Sequence, residues 1–298
     1  MSKRHLALIL LIDLIWAFNI VAIKISIDAI PPLMAVTLRY CIVLAVCLPW
    51  LRWLPGRMIA VLGTGLIAGA LFMGVGALGF AAATNVSALA IAGQAGVPFS
   101  LILAVVFYRE RIRWLRITGI VLSFAGVGVL VFDPHIVDER LGLALTLLAA
   151  LFWAIGNMLF RRLQGVFVLT IHGWLALVSI PVLAACSLAF EPGALAGVAR
   201  VPPHIWGWLA YSAIGASLIG HGGMTWLFQR YPVSTVSPLT LPTPLLSVIV
   251  AAVVFGNPVT PTMIAGGLVT LTGIAIITLR TAQARDAESN ATSRAETA

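Results

Sequence analysis

Read along the chain, apolar residues come in ten stretches, over 6–24, 33–51, 58–80, 86–107, 115–132, 141–161, 167–189, 205–228, 234–255 and 262–279. Each is close to the roughly 20 residues that a helix needs to cross a bilayer. The breaks carry turn chemistry or charge: Pro31 and Pro32, Pro55 to Arg57, the cluster from Arg109 to Arg116, Asp133 and Pro134, Arg161 and Arg162, Glu191 to Gly193, Pro202 and Pro203, Asn257 and Pro258. The stretches exceed strand length and lack period-two alternation, which argues against an outer-membrane barrel. The pattern predicts an all-α polytopic membrane protein with ten transmembrane helices. Lys3 and Arg4 before an apolar run look like the start of a signal peptide. However, Asp13 interrupts that run and no small-residue cleavage site follows, so 6–24 is read as the first span. Residues 280–298 are polar, rich in Ala, Thr and Ser and without an apolar face, and are read as a disordered tail.

Composition agrees with a bilayer setting. Of the 298 residues 61% are hydrophobic and 9% charged, against about 25% charged in ordinary globular domains. The net charge of +8 would suggest nucleic acid in a soluble protein; here it matters only where the basic residues fall. Counted over alternate breaks, fourteen Lys and Arg lie on the side of both termini and four on the other, namely Lys24, Arg39, Arg140 and Arg200. That asymmetry places both termini in the cytoplasm and the chain in the plasma (inner) membrane. The opposite breaks carry Asp28, Asp133, Asp138, Glu139 and Glu191, which suits an external face. Cys41, Cys47 and Cys186 sit in apolar stretches without metal-ligand spacing and read as small buried hydrophobes, so neither a metal nor a disulfide framework is expected. No Walker lysine is present, and no cofactor is implied.

The chain resembles itself. Leu14-Ile15-Trp16-Ala17 matches Leu151-Phe152-Trp153-Ala154, and each run is followed by a base, Lys24 or Arg161. A constant offset of 147 aligns Val86-Ser87 with Val233-Ser234, Gly119 with Gly266 and Gly126 with Gly273. Two five-helix repeats are therefore expected, over 6–132 and 141–279. Because five is odd, they must sit in the membrane with inverted topology, a construction plan of secondary transporters whose site lies at the midplane between repeats.

The sequence also resembles the drug/metabolite transporter superfamily, in particular EamA-type permeases such as the exporters of O-acetylserine and cysteine. The likeness rests on Trp16-Ala17-Phe18-Asn19 with Lys24, Pro31-Pro32-Leu33-Met34, Leu38-Arg39-Tyr40, Gln94, the Glu110-Arg111-Ile112 turn before Gly119 and Gly126, and Trp153-Ala154-Ile155-Gly156-Asn157. It implies ten helices in two inverted halves, a central cavity and export of small metabolites. The second half has Asn257-Pro258 where such proteins commonly carry a Glu-Arg turn, so the two turns are not equivalent here.

Polar groups within the spans are the candidates, because charge at membrane depth needs a reason. Asp13, Ala17, Ile20 and Lys24 fall within about 40° on a helix, a stripe suited to a water-filled cavity. Asp13 is assigned to proton coupling, against the alternative of a cytoplasmic-end acid paired with a base. His221, in Gly220-His221-Gly222-Gly223, can titrate near neutrality and is assigned to proton coupling and substrate binding. Asn19, Asn157 and Gln94 can hydrogen-bond an amino-acid-like solute or a neighbouring helix, and Trp16 and Trp153 can wall a pocket. His172 ranks below these, and Lys24 and Arg39 read as side chains reaching for the external end, with attraction of a carboxylate at the cavity mouth as the alternative for either. Pro98 in the fourth span and Pro238, Pro242 and Pro244 in the ninth interrupt corresponding helices, a sign of a gate. Gly74-Val75-Gly76-Ala77-Leu78-Gly79 mimics a dinucleotide fingerprint but follows no strand, so close helix packing is the reading, as for Gly65 to Gly69.

The reading is a secondary transporter that exports small polar metabolites, such as amino acids or their derivatives, by alternating access. The alternatives are uptake or exchange of another organic solute, and an integral membrane enzyme, which the scatter of buried titratable groups disfavours. Expected partners are a small-molecule substrate and membrane lipid, with no nucleic acid; a proton and a second copy of the chain are left open.

Overall fold

The computed structural model describes residues 1–108, 114–133, 138–228, 230–231 and 236–296, and among these every regular element is helical. The Glu110-Arg111-Ile112 turn with Arg109 and Arg113, Pro134 and the Val233-Ser234 pair lie outside the described residues. We label the helical runs α1 (Lys3–Ala29), α2 (Pro32–Cys47), α3 (Met58–Ala81), α4 (Val86–Phe107), α5 (Trp114–Val131), α6 (Arg140–Leu163), α7 (Val168–Phe190), α8 (203–228), α9 (Pro242–Phe255) and α10 (Pro261–Glu296). The helices α1 to α7 and the Pro261–Leu279 part of α10 are long and apolar enough to cross a membrane, and α9 is a shorter apolar helix. The chain is therefore a multi-pass membrane protein.

Local chemistry sets the ends. Ser2 caps α1, its hydroxyl accepting from the His5 N–H at 3.3 Å, and Pro31 and Pro32 stop α1 and start α2. Three elements differ from the hydrophobic pattern. The ninth span was expected from 234, but regular α9 begins at Pro242, after a 3₁₀ turn at Ser237–Thr240. Proline lacks the N–H that a helix interior needs, so Pro242 and Pro244 fit only near its first turn. The eighth span is not a uniform α-helix: Pro203–Ala210 and Gly222–Phe228 flank a π-helical Tyr211–His221. The backbone of α10 runs helically to Glu296, past Arg280 where the polar composition suggested no regular structure. That stretch lacks Gly and Pro and carries five Ala and three Arg, residues compatible with continuing a helix already begun.

Hydrogen bonds between turns tie the helix ends into two faces. On one, the Glu191 carboxylate accepts from the N–H groups of Leu33 (2.8 Å) and Met34 (3.1 Å) and from the Ser187 hydroxyl. There too, Glu139 accepts from the N–H groups of Thr84 and Asn85, both at 2.9 Å, and from the Thr84 hydroxyl. Asn85 Nδ2 donates to the Pro258 carbonyl, Asn257 Nδ2 to the Thr84 carbonyl and the Thr260 hydroxyl to Asp133. On the other face, with the N-terminus, His5 meets Tyr231 (2.6 Å) and Arg57 donates to the Gln164 carbonyl (2.8 Å).

Small residues let helices approach. A Cβ on Gly65 would stand 2.7 Å from Val178 and one on Gly74 2.8 Å from Leu183, both on α7, whereas Gly79 packs against Thr146 and Leu145 of α6. The crossing of α5 and α10 is closest of all. A Cβ on Gly119 would lie 2.8 Å from the Gly273 carbonyl oxygen, and one on Gly266 would lie 2.7 Å from that of Gly126. The repeat pairs Gly119 with Gly266 and Gly126 with Gly273, so each glycine touches the other pair's counterpart. Between them Thr270 donates to the Ser123 carbonyl at 3.4 Å, a residue meeting its own equivalent 147 positions away. Exchange of partners about a self-contact is the pattern of a local two-fold axis. Cys47 is buried as expected, whereas Cys41 is exposed on α2 and Cys186 half-buried.

Candidate functional site

Two π-helical segments organise the interior. They cover Gly65–Leu71 in α3 and Tyr211–His221 in α8. The repeat offset of 147 carries 65–71 onto 212–218, inside the second. A π-helix shifts hydrogen bonding to i→i+5 and makes backbone carbonyls available to other donors, which is why such segments cluster at functional sites. Here the matched carbonyls of Gly69 and Ala216 each accept from an aromatic donor of the first half. Tyr40 donates its hydroxyl to Gly69 and Trp16 its Nε1 to Ala216, both at 3.3 Å.

At the end of the second π segment His221 stands between the two matched tryptophans. Its ring centroid is 5.0 Å from that of Trp16 and 5.3 Å from that of Trp153, and Trp153 also meets Phe72 at 5.0 Å. Glycines make room: a Cβ on Gly220 would overlap the Trp16 indole, and one on Gly96 would come within 3.3 Å of Trp153. Trp16, Trp153, Asn157 and His221 keep partial exposure, whereas Ala17, Ala154 and Ala216 on the same helices are fully buried. The aromatic cluster is thus not fully enclosed by its neighbours. Aromatic faces there suit a cationic or apolar group.

The amides part company. Asn19 Oδ1 accepts from the Ser212 hydroxyl at 2.7 Å, so it binds the π segment. Asn157 makes no hydrogen bond to the described residues. Gln94 lies apart from the aromatic cluster, in an apolar pocket of about 230 Å³ lined also by Pro244, Val248 and Met263. Of the interrupting prolines, Pro98 is buried just beyond a 3₁₀ turn at Gly93–Ala95, Pro244 is buried and Pro242 exposed; Pro238 falls in the 3₁₀ turn before α9. A larger cavity of about 390 Å³, lined by Arg52, Arg57, Phe167 and Thr170, sits among the turns of the N-terminal face, away from the tryptophans.

Two charged residues differ from the sequence reading. The stripe of Asp13, Ala17 and Ile20 was expected to face water, yet all three are buried. The helix α9 covers it, and Thr243 donates its hydroxyl to Asp13 Oδ1 at 2.7 Å, while Oδ2 is buried without a partner. Lys24 pairs with Asp28 at 3.0 Å and donates to the Ala83 carbonyl. Arg39, read as reaching for an external end, is only 4% exposed. It turns inward because its Nε (3.2 Å) and Nη2 (2.8 Å) both donate to Ser217 Oγ in the α8 π segment. Sequence reasoning missed this pair. A signal existed, since Arg39 lies about 10 Å along α2 from Pro32 at 1.5 Å per residue. The partner, 178 positions away, carried none. His172 on α7 is buried. Among the described residues no three His, Cys, Asp or Glu side chains converge to hold a metal ion.

Comparison with known proteins agrees with this architecture. The profile of the EamA-like transporter family matches residues 3–132 and 140–279. A probable amino-acid metabolite efflux pump of Escherichia coli (strain K12) is 28% identical over 288 residues, covering 93% of this chain and 95% of that protein. A protein of the same description from Salmonella typhimurium is also 28% identical over 288 residues, with the same coverage. An uncharacterized transporter of Archaeoglobus fulgidus is 24% identical over 272 residues, covering 88% of this chain and 94% of its own length. A solved crystal structure shares the fold, with a TM-score of 0.64 at 21% identity over 94% of this chain and 98% of that one.

Proposed function

Because the chain belongs to the EamA-like transporter family, we propose that it is a secondary transporter of the plasma membrane that exports small polar metabolites, amino acids or their derivatives, by alternating access. Both termini face the cytoplasm, and ten spans form two inverted five-helix halves, 6–132 and 141–279. The observation that carries this reading is the tilted packing of His221 between Trp16 and Trp153, the matched tryptophans of the two halves, with Asn157 partly exposed. A site shared by two halves can be opened to either side when one half moves against the other. Support for the solute class comes from the relatives described as amino-acid metabolite efflux pumps.

In this reading Trp16 and Trp153 wall the site, Asn19, Asn157 and Gln94 hydrogen-bond the solute or hold its path, and Pro98, Pro238, Pro242 and Pro244 lend the fourth and ninth spans their gate. Asp13 and His221 carry the coupling proton. Asp13 has one oxygen free of any partner, which a proton can occupy. The test is flux of labelled O-acetyl-L-serine and L-cysteine from proteoliposomes, with and without a pH gradient. Flux above that of empty liposomes is expected. Flux no greater than theirs for the whole panel would end the transport reading.

A further inference from the structure

Arg39 is a cation in the protein interior without a counter-ion among the described residues. It is 4% exposed, at the middle of α2, and its hydrogen bonds to the described residues go to one neutral oxygen, Ser217 Oγ. Its Nη1 makes none. The described acids are engaged elsewhere or distant: Asp13 with Thr243, Asp28 with Lys24, Asp133 with Thr260, and Glu139 and Glu191 with helix N-termini. A buried charge is retained only where something compensates it, and one hydroxyl is a weak compensation for a guanidinium. Ser217 stands four positions before His221 on α8, so the unpaired fork is beside the Trp16–His221–Trp153 cluster rather than in a separate part of the bundle.

We propose that Arg39 is the solute's carboxylate anchor, so that the transported metabolites must bear a carboxylate. A planar guanidinium presents parallel N–H groups that match two carboxylate oxygens, and an N–H of Nη1 with the outer N–H of Nη2 can form that pair while the inner N–H of Nη2 stays on Ser217. With the carboxylate on Arg39, the rest of an amino-acid-like solute extends toward the aromatic faces, where an ammonium is attracted to indole. Ser217 is a positioning residue that holds the fork in place through Nε and Nη2. The inference rests on the transport reading above, because the anchored group is the solute of that same site.

The experiment measures binding to the purified full chain by thermal shift and calorimetry, with O-acetyl-L-serine and its methyl ester as probes, and flux of both from proteoliposomes. The acid should stabilise the wild type and the ester should not. Arg39→Gln should weaken acid binding by roughly 30-fold or more, as expected when one partner of a buried charge pair is removed. Arg39→Lys should recover part of it, and Ser217→Ala should weaken it less than Arg39→Gln. Without ligand, Arg39→Gln should melt no lower than wild type, since it removes an uncompensated charge; a purely structural arginine would instead lower the melting point. Should Arg39→Gln fail to fold, the acid-against-ester comparison on the wild type decides alone. Equal binding of acid and ester, or unchanged acid binding in Arg39→Gln, overturns the anchor. If the ester also moves, the anchor falls and the transport reading survives. If the acid binds through Arg39 and nothing moves, the anchor stands and the transport reading falls. No binding and no flux of either probe rejects both.

Discussion

Asp13 has one carboxylate oxygen bonded to Thr243 and the other buried with no partner. Asparagine there keeps an acceptor for Thr243 but cannot exchange a proton. Asp13→Asn, and separately His221→Gln, should therefore abolish the extra flux driven by a pH gradient, with exchange at equal pH kept within roughly twofold in Asp13→Asn, since only differential proton binding shifts a two-state equilibrium. Full gradient-driven flux in both variants would make the pair structural. Thr243→Val, by contrast, strips a buried polar group of its donor and should cost about 1–3 kcal/mol, read as a lower melting point in detergent. At this scale the sequence was informative about identity and poor about direction. Trp16, Trp153 and His221 could be picked out as unusual residues inside apolar runs, and they meet. Whether Asp13 or Arg39 faces water, lipid or a partner depends on which helix packs over it, and residues 230 and 178 positions away decide that.

Among elements, the crossing of α5 and α10 makes the sharpest demand. An added methyl at Gly119 or Gly266 would meet a backbone carbonyl that cannot rotate away, at 2.8 and 2.7 Å. Gly119→Ala and Gly266→Ala should each cost about 1–3 kcal/mol through forced separation of the helices. Gly128→Ala, on the same helix with nothing within 4 Å, should melt with the wild type and serves as the control. A melting point unchanged at all three positions would mean that the crossing is looser than drawn. Helix existence was legible because runs of about twenty apolar residues have few other uses. The π segments were not, since a shift from i→i+4 to i→i+5 bonding leaves no period in so uniformly apolar a stretch as Gly65–Leu71. Glycine spacing pointed to close packing but not to which helix would be approached.

For the molecule as a whole, the two halves are also hydrogen-bonded on the face opposite the N-terminus, where Glu139, just ahead of the second half, and Glu191 within it grip backbone N–H groups of the first. Opening that face must break these bonds. Glu139→Gln and Glu191→Gln lose the charge on each grip and should favour the open form, by about tenfold for every 1.4 kcal/mol removed. The measurement is the rate at which an impermeant thiol reagent, added on that side, labels Asn157→Cys in a variant lacking Cys41, Cys47 and Cys186. Rates equal to those of the parent that keeps both glutamates would mean that the bonds do not govern access. Reporter fusions decide which side this is: a C-terminal fusion active only in the cytoplasm is expected, and external activity would reverse the assigned orientation. The duplication was visible in the chain before any fold, but not its seams, because a backbone N–H is common to nearly every residue and cannot be read as a motif. The same fact has an evolutionary side. The donors at Leu33 and Met34 exist whatever side chain stands there, so those positions can drift among apolar residues as long as proline is avoided. Glu139 and Glu191 have no such latitude. The carboxylate part of the lock is inherited through these two glutamates, and a lineage that loses either should show a changed balance between its open and closed forms even where every helix is otherwise preserved.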